Sequence, residues 1–281
     1  MKTKAISKKY RTARVWGMMM TLILAFCIVP TEQAEAQLTL GARGASMGQA
    51  VTALQTESWS VFSNPAMLPL NGNAASFYGI RNYSFSELTD VALAGHYSHN
   101  FGTSGLGLHT YGDDIFRESR FRIAHMYEYS GMRVGLIANY THMSIENYGS
   151  AGTLTLDAGL AYSIIEGLWV GARATNLNRG KIGEAREELA RELAVGVAYT
   201  LSDRATVSSD VVKDSRFPMA YRGGLEVRIF EDLYLRGGIT TEPVTYSVGM
   251  GYNHSSFGIN IVAQQHYLLG WSPGLDFSIN F

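Results

Sequence analysis

Three groups of residues in this 281-residue chain are of types that could do chemistry. The first is a set of charged side chains: Arg122, Glu128, Arg133, Asp157, Arg173, Glu192, Asp210, Arg222, Glu226, Arg228 and Arg236. Gathered in one enclosed space, they could line a selective pathway or a mobile gate. They could equally pair into a static lattice, the commoner fate of buried charges. The second group is the histidines, His96, His99, His109, His125, His142, His254 and His266. Nucleophilic or acid–base catalysis needs an activated nucleophile and its base held together. These histidines are scattered, and His96 and His99, an odd separation apart, fall on opposite faces of a strand. No serine sits in a nucleophile elbow, and no His/Asp/Glu group has metal-ligand spacing. Neither enzymatic activity nor a metal or other cofactor is therefore expected. The third group is Gly41, Arg43 and Gly48 together with Asn64-Pro65-Ala66. Asn64 must be extended because a proline follows it, and Pro65 can open a short helical turn over Ala66-Met67-Leu68. This element could shape a turn or touch a ligand.

What must position these groups is legible from about residue 73 onward. Apolar and polar or small residues alternate there with period two. Met132, Val134, Leu136, Ala138 and Tyr140 oppose Arg133, Gly135, Ile137, Asn139 and Thr141. Leu154 to Ile164 and Val244 to Tyr252 split in the same way. Strict alternation means strands with one apolar face. About fourteen such segments occur, long enough to cross a bilayer when tilted. Their connections alternate between tight turns, such as Ser130-Gly131 and Glu166-Gly167, and longer loops at 112–119, 143–152, 177–189 and 213–218. The longest could form a helical turn that leads into the eighth strand. Tyrosines and tryptophans near strand ends, among them Tyr127, Tyr129, Trp169, Tyr234 and Trp271, suit interfacial belts. The fold expected is all-β: a transmembrane antiparallel up-and-down β-barrel of about fourteen strands over 73–281. Its lumen would receive the charged set, and a short N-terminal hatch over 37–72 would fill it.

The first residues supply the destination. Lys2, Lys4, Lys8, Lys9, Arg11 and Arg14 form a basic region, Val15 to Val29 are mostly apolar, and Ala34-Glu35-Ala36 offers a small-x-small cleavage site. This order is that of a secretory signal peptide, residues 1–36. Six of 23 basic and two of 24 acidic residues would leave with it, so 17 and 22 remain, net −5. That balance offers no basic patch for nucleic acid. The single cysteine, Cys27, would leave too. The last strand carries Leu275, Phe277, Ile279 and Phe281 on one face. It resembles the signal read by the barrel-assembly machinery, with Phe277 and Phe281 as its aromatic residues.

Gly41-Ala42-Arg43, Met47-Gly48 and Phe62-Ser63-Asn64-Pro65-Ala66-Met67-Leu68 resemble the opening of the PorV/PorQ family. Tyr234–Thr240, Leu269-Gly270 and Phe277–Phe281 resemble its end. That family belongs to a wider FadL-like group of fourteen-stranded outer-membrane barrels with an N-terminal hatch, which shares the Asn-Pro-Ala element. The resemblance implies an accessory of type IX secretion that holds or passes exported cargo. Its partners would be outer-membrane lipid, the assembly machinery, and secretion components or cargo proteins. The alternative it implies is a FadL-like channel for small hydrophobic molecules.

Overall fold

The computed structural model describes residues 40–281 except Thr56, Ala185 and Asp203. The expected signal peptide and residues 37–39 lie outside the described residues. Fourteen antiparallel strands close into one barrel. They are β1 (Asn73–Arg81), β2 (Thr89–His99), β3 (Gly102–Gly112), β4 (Phe116–Tyr129), β5 (Met132–Ile145), β6 (Gly149–Ile165) and β7 (Leu168–Ala174), then β10 (Glu192–Ser202), β11 (Ala205–Asp214), β12 (Met219–Arg228), β13 (Leu233–Thr241), β14 (Val244–Asn253), β15 (Phe257–His266) and β16 (Gly270–Asn280). The short β8 (Lys181–Ile182) and β9 (Glu187–Glu188) form a separate hairpin. Each barrel strand pairs with its neighbours in sequence, and β16 closes on β1 with Phe277 opposite Phe77. Closure gives every barrel strand a partner on both sides, which matters where lipid offers no hydrogen bonds, although β6 meets β7 only from Ala158 to Ile165 and its earlier residues bond Leu177 and Asn178 of the connection instead.

The period-two pattern becomes two environments. On β5, Leu136 is 61% exposed and its neighbour Ile137 only 1%. Leu93, Leu106, Leu160, Val195 and Leu275 share the outward side of their strands, each at least half exposed. An apolar band around a closed wall is the lipid-facing belt of a transmembrane barrel.

Several boundaries differ from the sequence reading. The expected loops at 112–119 and 143–152 are largely strand: β4 starts at Phe116, β5 runs to Ile145 and β6 starts at Gly149. Outward residues there become polar (Arg117, Ser119, His142, Ser144), so the amphipathic signal fades while the backbone ladder continues. The connection 177–189 is no helical turn. It carries the β8–β9 hairpin, with Lys181 opposite Glu188. Trp169 and Tyr234 are not belt residues. Trp169 shares the inward face of β7 with Arg173 and packs against the hatch, and Tyr234 lies beneath the Arg236 guanidinium.

Residues 40–72 fill the lumen. A five-residue helix, α1 (Ala42–Ser46), packs against β13–β16. A 3-10 turn at Glu57–Phe62 meets β1–β4, and a second at Pro65–Met67 meets β4–β6. Trp59, Val61 and Leu68 join Tyr78, Ile80, Ala124, Met126 and Ile137 in one buried cluster. Wall residues give way where the hatch backbone touches. A Cβ on Gly135 would lie 2.6 Å from the Ala66 nitrogen, and one on Gly238 would collide with Met47 and Gly48.

Candidate functional site

The contacts between hatch and wall gather most of the polar residues singled out in the sequence. Gly41 begins the site with φ +95°, and its bare Cα lets the Trp59 indole pass where a Cβ would lie 2.5 Å from Cγ. Gly48, φ +62°, sits equally close to the Gly223 carbonyl and the Ile239 nitrogen. Both positions need glycine for backbone conformation and for space. Between them Arg43 projects to the wall. Its Nε and Nη2 donate to the two carboxylate oxygens of Glu226 at 2.9 and 2.7 Å, and Nη1 donates to the Gln55 carbonyl at 2.7 Å. Burial disfavours the Arg43 cation, but Glu226 more than offsets this, so its pKa is raised and the charge is kept.

Glu226 also accepts from Arg236 Nε at 2.6 Å. From Arg236 the chain of bonds runs through Asn260, whose Oδ1 accepts at 2.7 Å, to Asp276, which accepts from Asn260 Nδ2 at 2.6 Å. Asp276 Oδ2 then accepts the Ala42 N–H at 2.7 Å. Two cations and two anions, bridged by an amide, thus fasten α1 to β12, β13, β15 and β16. Thr240 Oγ1 donates to the Gly48 carbonyl (2.8 Å), and Gln264 Nε2 to the Ala45 carbonyl (3.2 Å). Period two already places Asp276 and Asn260 inward, opposite Leu275 and Ile261. A search for charge alone passes over Asn260, and the set chosen from the sequence omitted Asp276.

Asn64-Pro65-Ala66 forms a clamp. Asn64 is extended (φ −105°, ψ 110°), as the proline ring requires, and Pro65 opens the second 3-10 turn. Asn64 Oδ1 accepts the Ala66 N–H at 3.1 Å. Its Nδ2 donates to the Thr52 carbonyl at 2.6 Å and to the Leu160 carbonyl of β6 at 3.2 Å. One buried amide therefore ties two parts of the hatch to each other and to the wall. Gly159 faces it, and a Cβ there would run into Asn64 Oδ1.

A further charged group lines the other side of the lumen. Arg173 pairs with Glu192, and Arg222 Nη2 lies 4.0 Å from the same carboxylate. Asp210 accepts the Thr52 N–H at 2.9 Å. Arg122 lies 3.8 Å from Asp157, donates to the Val61 carbonyl at 3.4 Å and stands over the Phe62 ring. Arg133 bonds Glu128 at 2.9 Å and covers Trp169 at 4.2 Å. The inward set is thus brought together, with one exception. Arg228 is half-buried at the turn end of β12 and makes no ion pair among the described residues. Phe277 faces outward on β16, and Phe281 is exposed, its N–H donating to the Asn73 carbonyl at 2.9 Å.

The histidines divide by parity. His96 and His109 point inward, to Ser58 (2.9 Å) and Asp90 (2.6 Å). His99 and His125 face outward and, although 26 positions apart in the chain, stack with ring centroids 5.6 Å apart. The sequence reading, which took the histidines as scattered, missed this pair.

No family profile matches the chain, and no curated protein sequence does. Among solved structures it is similar to the toluene transporter TodX of Pseudomonas putida, with 12% identity and TM-score 0.62 over 90% of this chain and 98% of that one. The toluene transporter TbuX of Ralstonia pickettii is similar at 13% identity and TM-score 0.59, over 85% and 97%. At such identities the likeness is one of fold, and it covers the closed fourteen-stranded barrel of this chain.

Proposed function

We propose that the chain is an outer-membrane barrel, delivered by a cleaved signal peptide, and that it passes small hydrophobic molecules, with the hatch as its gate. The observation that carries this reading is the likeness of almost the whole chain to two toluene transporters. The site supports it by supplying a gate that could move in parts. α1 is fastened by ion pairs and single hydrogen bonds, which water can replace when the segment swings out. No covalent step is involved: selectivity would come from what the opened lumen admits and what its charged lining rejects.

The test is uptake of a labelled monoaromatic hydrocarbon by cells whose outer membrane contains the protein, against cells with an empty vector. Faster uptake, reduced by replacing Asn64 and Pro65, is expected.

One observation favours the second reading, a PorV/PorQ-like scaffold for exported proteins. β4–β6 continue beyond the apolar band as a polar sheet, which bears a cavity of about 220 Å³ lined by Asp113, Asp114, Arg117, Ser119, His142 and Ser144. A protein partner could seat on such a surface. Stoichiometric co-purification of exported proteins, with uptake equal to the empty vector, would replace the channel reading by this one.

A further inference from the structure

The lipid-facing wall carries a polar cluster at its turn end. Ser104 of β3 lies on the same side as Leu106 and Leu108, while its neighbour Thr103 is buried inward. His125 of β4 shares that side with Ile123 and Tyr127, between the buried Ala124 and Met126. His99, the last residue of β2, completes the group. His99 Nε2 and His125 Nδ1 each lie 3.1 Å from Ser104 Oγ. An apolar side chain at any of these positions would suit a surface that only meets acyl chains, so three adjoining polar ones point to something polar in the membrane.

The bonding suits one direction of proton donation. The Phe101 N–H donates to His99 Nδ1 at 3.3 Å, so the proton of a neutral His99 sits on Nε2. His99 Nε2–H therefore donates to Ser104 Oγ, which leaves the Ser104 hydroxyl proton available to His125 Nδ1. In that arrangement a neutral His125 carries its proton on Nε2. That outward N–H has no intramolecular acceptor among the hydrogen bonds of the described residues. The relay ends in a donor directed at whatever surrounds the wall.

Height decides what that is. Ser104 is the third residue of β3 and His125 the fifth from the end of β4. In a tilted strand this puts them roughly 5–12 Å from the turns. Tyr97, Tyr127 and Phe101, all more than half exposed, surround them as an interfacial girdle does. Short turns mark the periplasmic side of such barrels. We propose that His99, Ser104 and His125 form a binding site for the phosphate of a glycerophospholipid in the periplasmic leaflet. In it, His125 Nε2–H donates to a phosphate oxygen and the aromatic residues pack along the glycerol and upper acyl carbons. The site rests on the membrane reading but not on the channel reading.

The test uses the full-length protein purified in mild detergent, titrated with phosphatidylglycerol or diacylglycerol and followed by native mass spectrometry. Wild-type protein should retain one phosphatidylglycerol in preference to diacylglycerol. Ser104→Ala and His125→Leu should each weaken that retention about tenfold, and His125→Gln, which keeps an N–H donor, should recover part of it. Heat-modifiable gel migration shows that each variant is a folded barrel. Equal retention by wild type and both variants, equal binding of diacylglycerol, or full competition by inorganic phosphate would overturn the site. Detergent-phase partitioning separates the two failures: a protein that partitions into water removes the membrane reading, whereas one that partitions into detergent without headgroup preference removes only this site.

Discussion

On the side of β1–β5, the hatch presents Trp59, Val61 and Leu68 to Tyr78, Ile80, Met126 and Ile137. On the side of β12–β16, it presents Arg43 and the backbone of Ala42, Ala45 and Gly48 to Glu226, Asp276, Gln264 and Thr240. The first contact is apolar and non-directional, and moving it into water would expose that surface at about 25 cal/mol per Å². The second is mostly directional, with Ala42 and Ala45 adding small apolar contacts to the same buried cluster. Its groups are costly to leave unpaired inside, but water can satisfy them outside. A hatch built this way should release its α1 side first and pivot on its Trp59 side. Small polar contacts therefore set when it opens, and apolar packing sets what stays behind.

The strongest way to break this comparison is Glu226→Ala, which leaves Arg43 and Arg236 buried without their shared anion. A loss of about 3–5 kcal/mol in the urea unfolding transition is expected. Thiol labelling sharpens it. In that background a cysteine at Ala45 should react with a maleimide at least tenfold faster, whereas one at Val61 should keep its wild-type rate. Equal acceleration at both would mean that the hatch moves as one body and that the two sides do not differ.

Leu68→Ala probes the apolar side, with an expected cost of about 2–5 kcal/mol from the lost burial and the cavity left behind. Here the Ala45 cysteine should stay protected. Between the two sides, Asn64→Ala removes the acceptor for the Ala66 N–H and the donor to Thr52 and Leu160. Thermal unfolding should show a loss of about 1–3 kcal/mol. Labelling should then rise at both reporter cysteines, because Asn64 ties the two hatch parts together. Thr240→Val deletes one hydroxyl bond to the Gly48 carbonyl. It should cost about 1 kcal/mol and speed labelling at Ala45 alone.

Much of the wall was legible because lipid and lumen impose opposite demands on successive residues. Met132 to Tyr140 therefore read directly as a strand with an apolar outside. The same logic places Arg133, Asp157, Arg222, Glu226 and Arg236 inside. Legibility failed where one of the two demands lapsed. Beyond Tyr140 the outward face turns polar at His142 and Ser144, and β5 continues unannounced to Ile145. Trp169 has the composition of a belt residue, but parity with Arg173 turns it inward onto the hatch.

The hatch illustrates the other limit. That Asn64 is extended and Pro65 starts a turn follows from one ring and its steric reach. That Arg43 meets Glu226, 183 residues away, does not follow from either residue. Nor does the meeting of His99 and His125 around Ser104. The sequence by itself determined the apolar-faced part of the fourteen barrel strands, the side on which their side chains emerge and the local shape at proline and glycine, because these depend on neighbours along the chain. Only the tertiary structure decided which inward charges share a partner and which outward histidines stack. Barrel closure, strand stagger and the seating of the hatch set those distances, and they are properties of the whole wall.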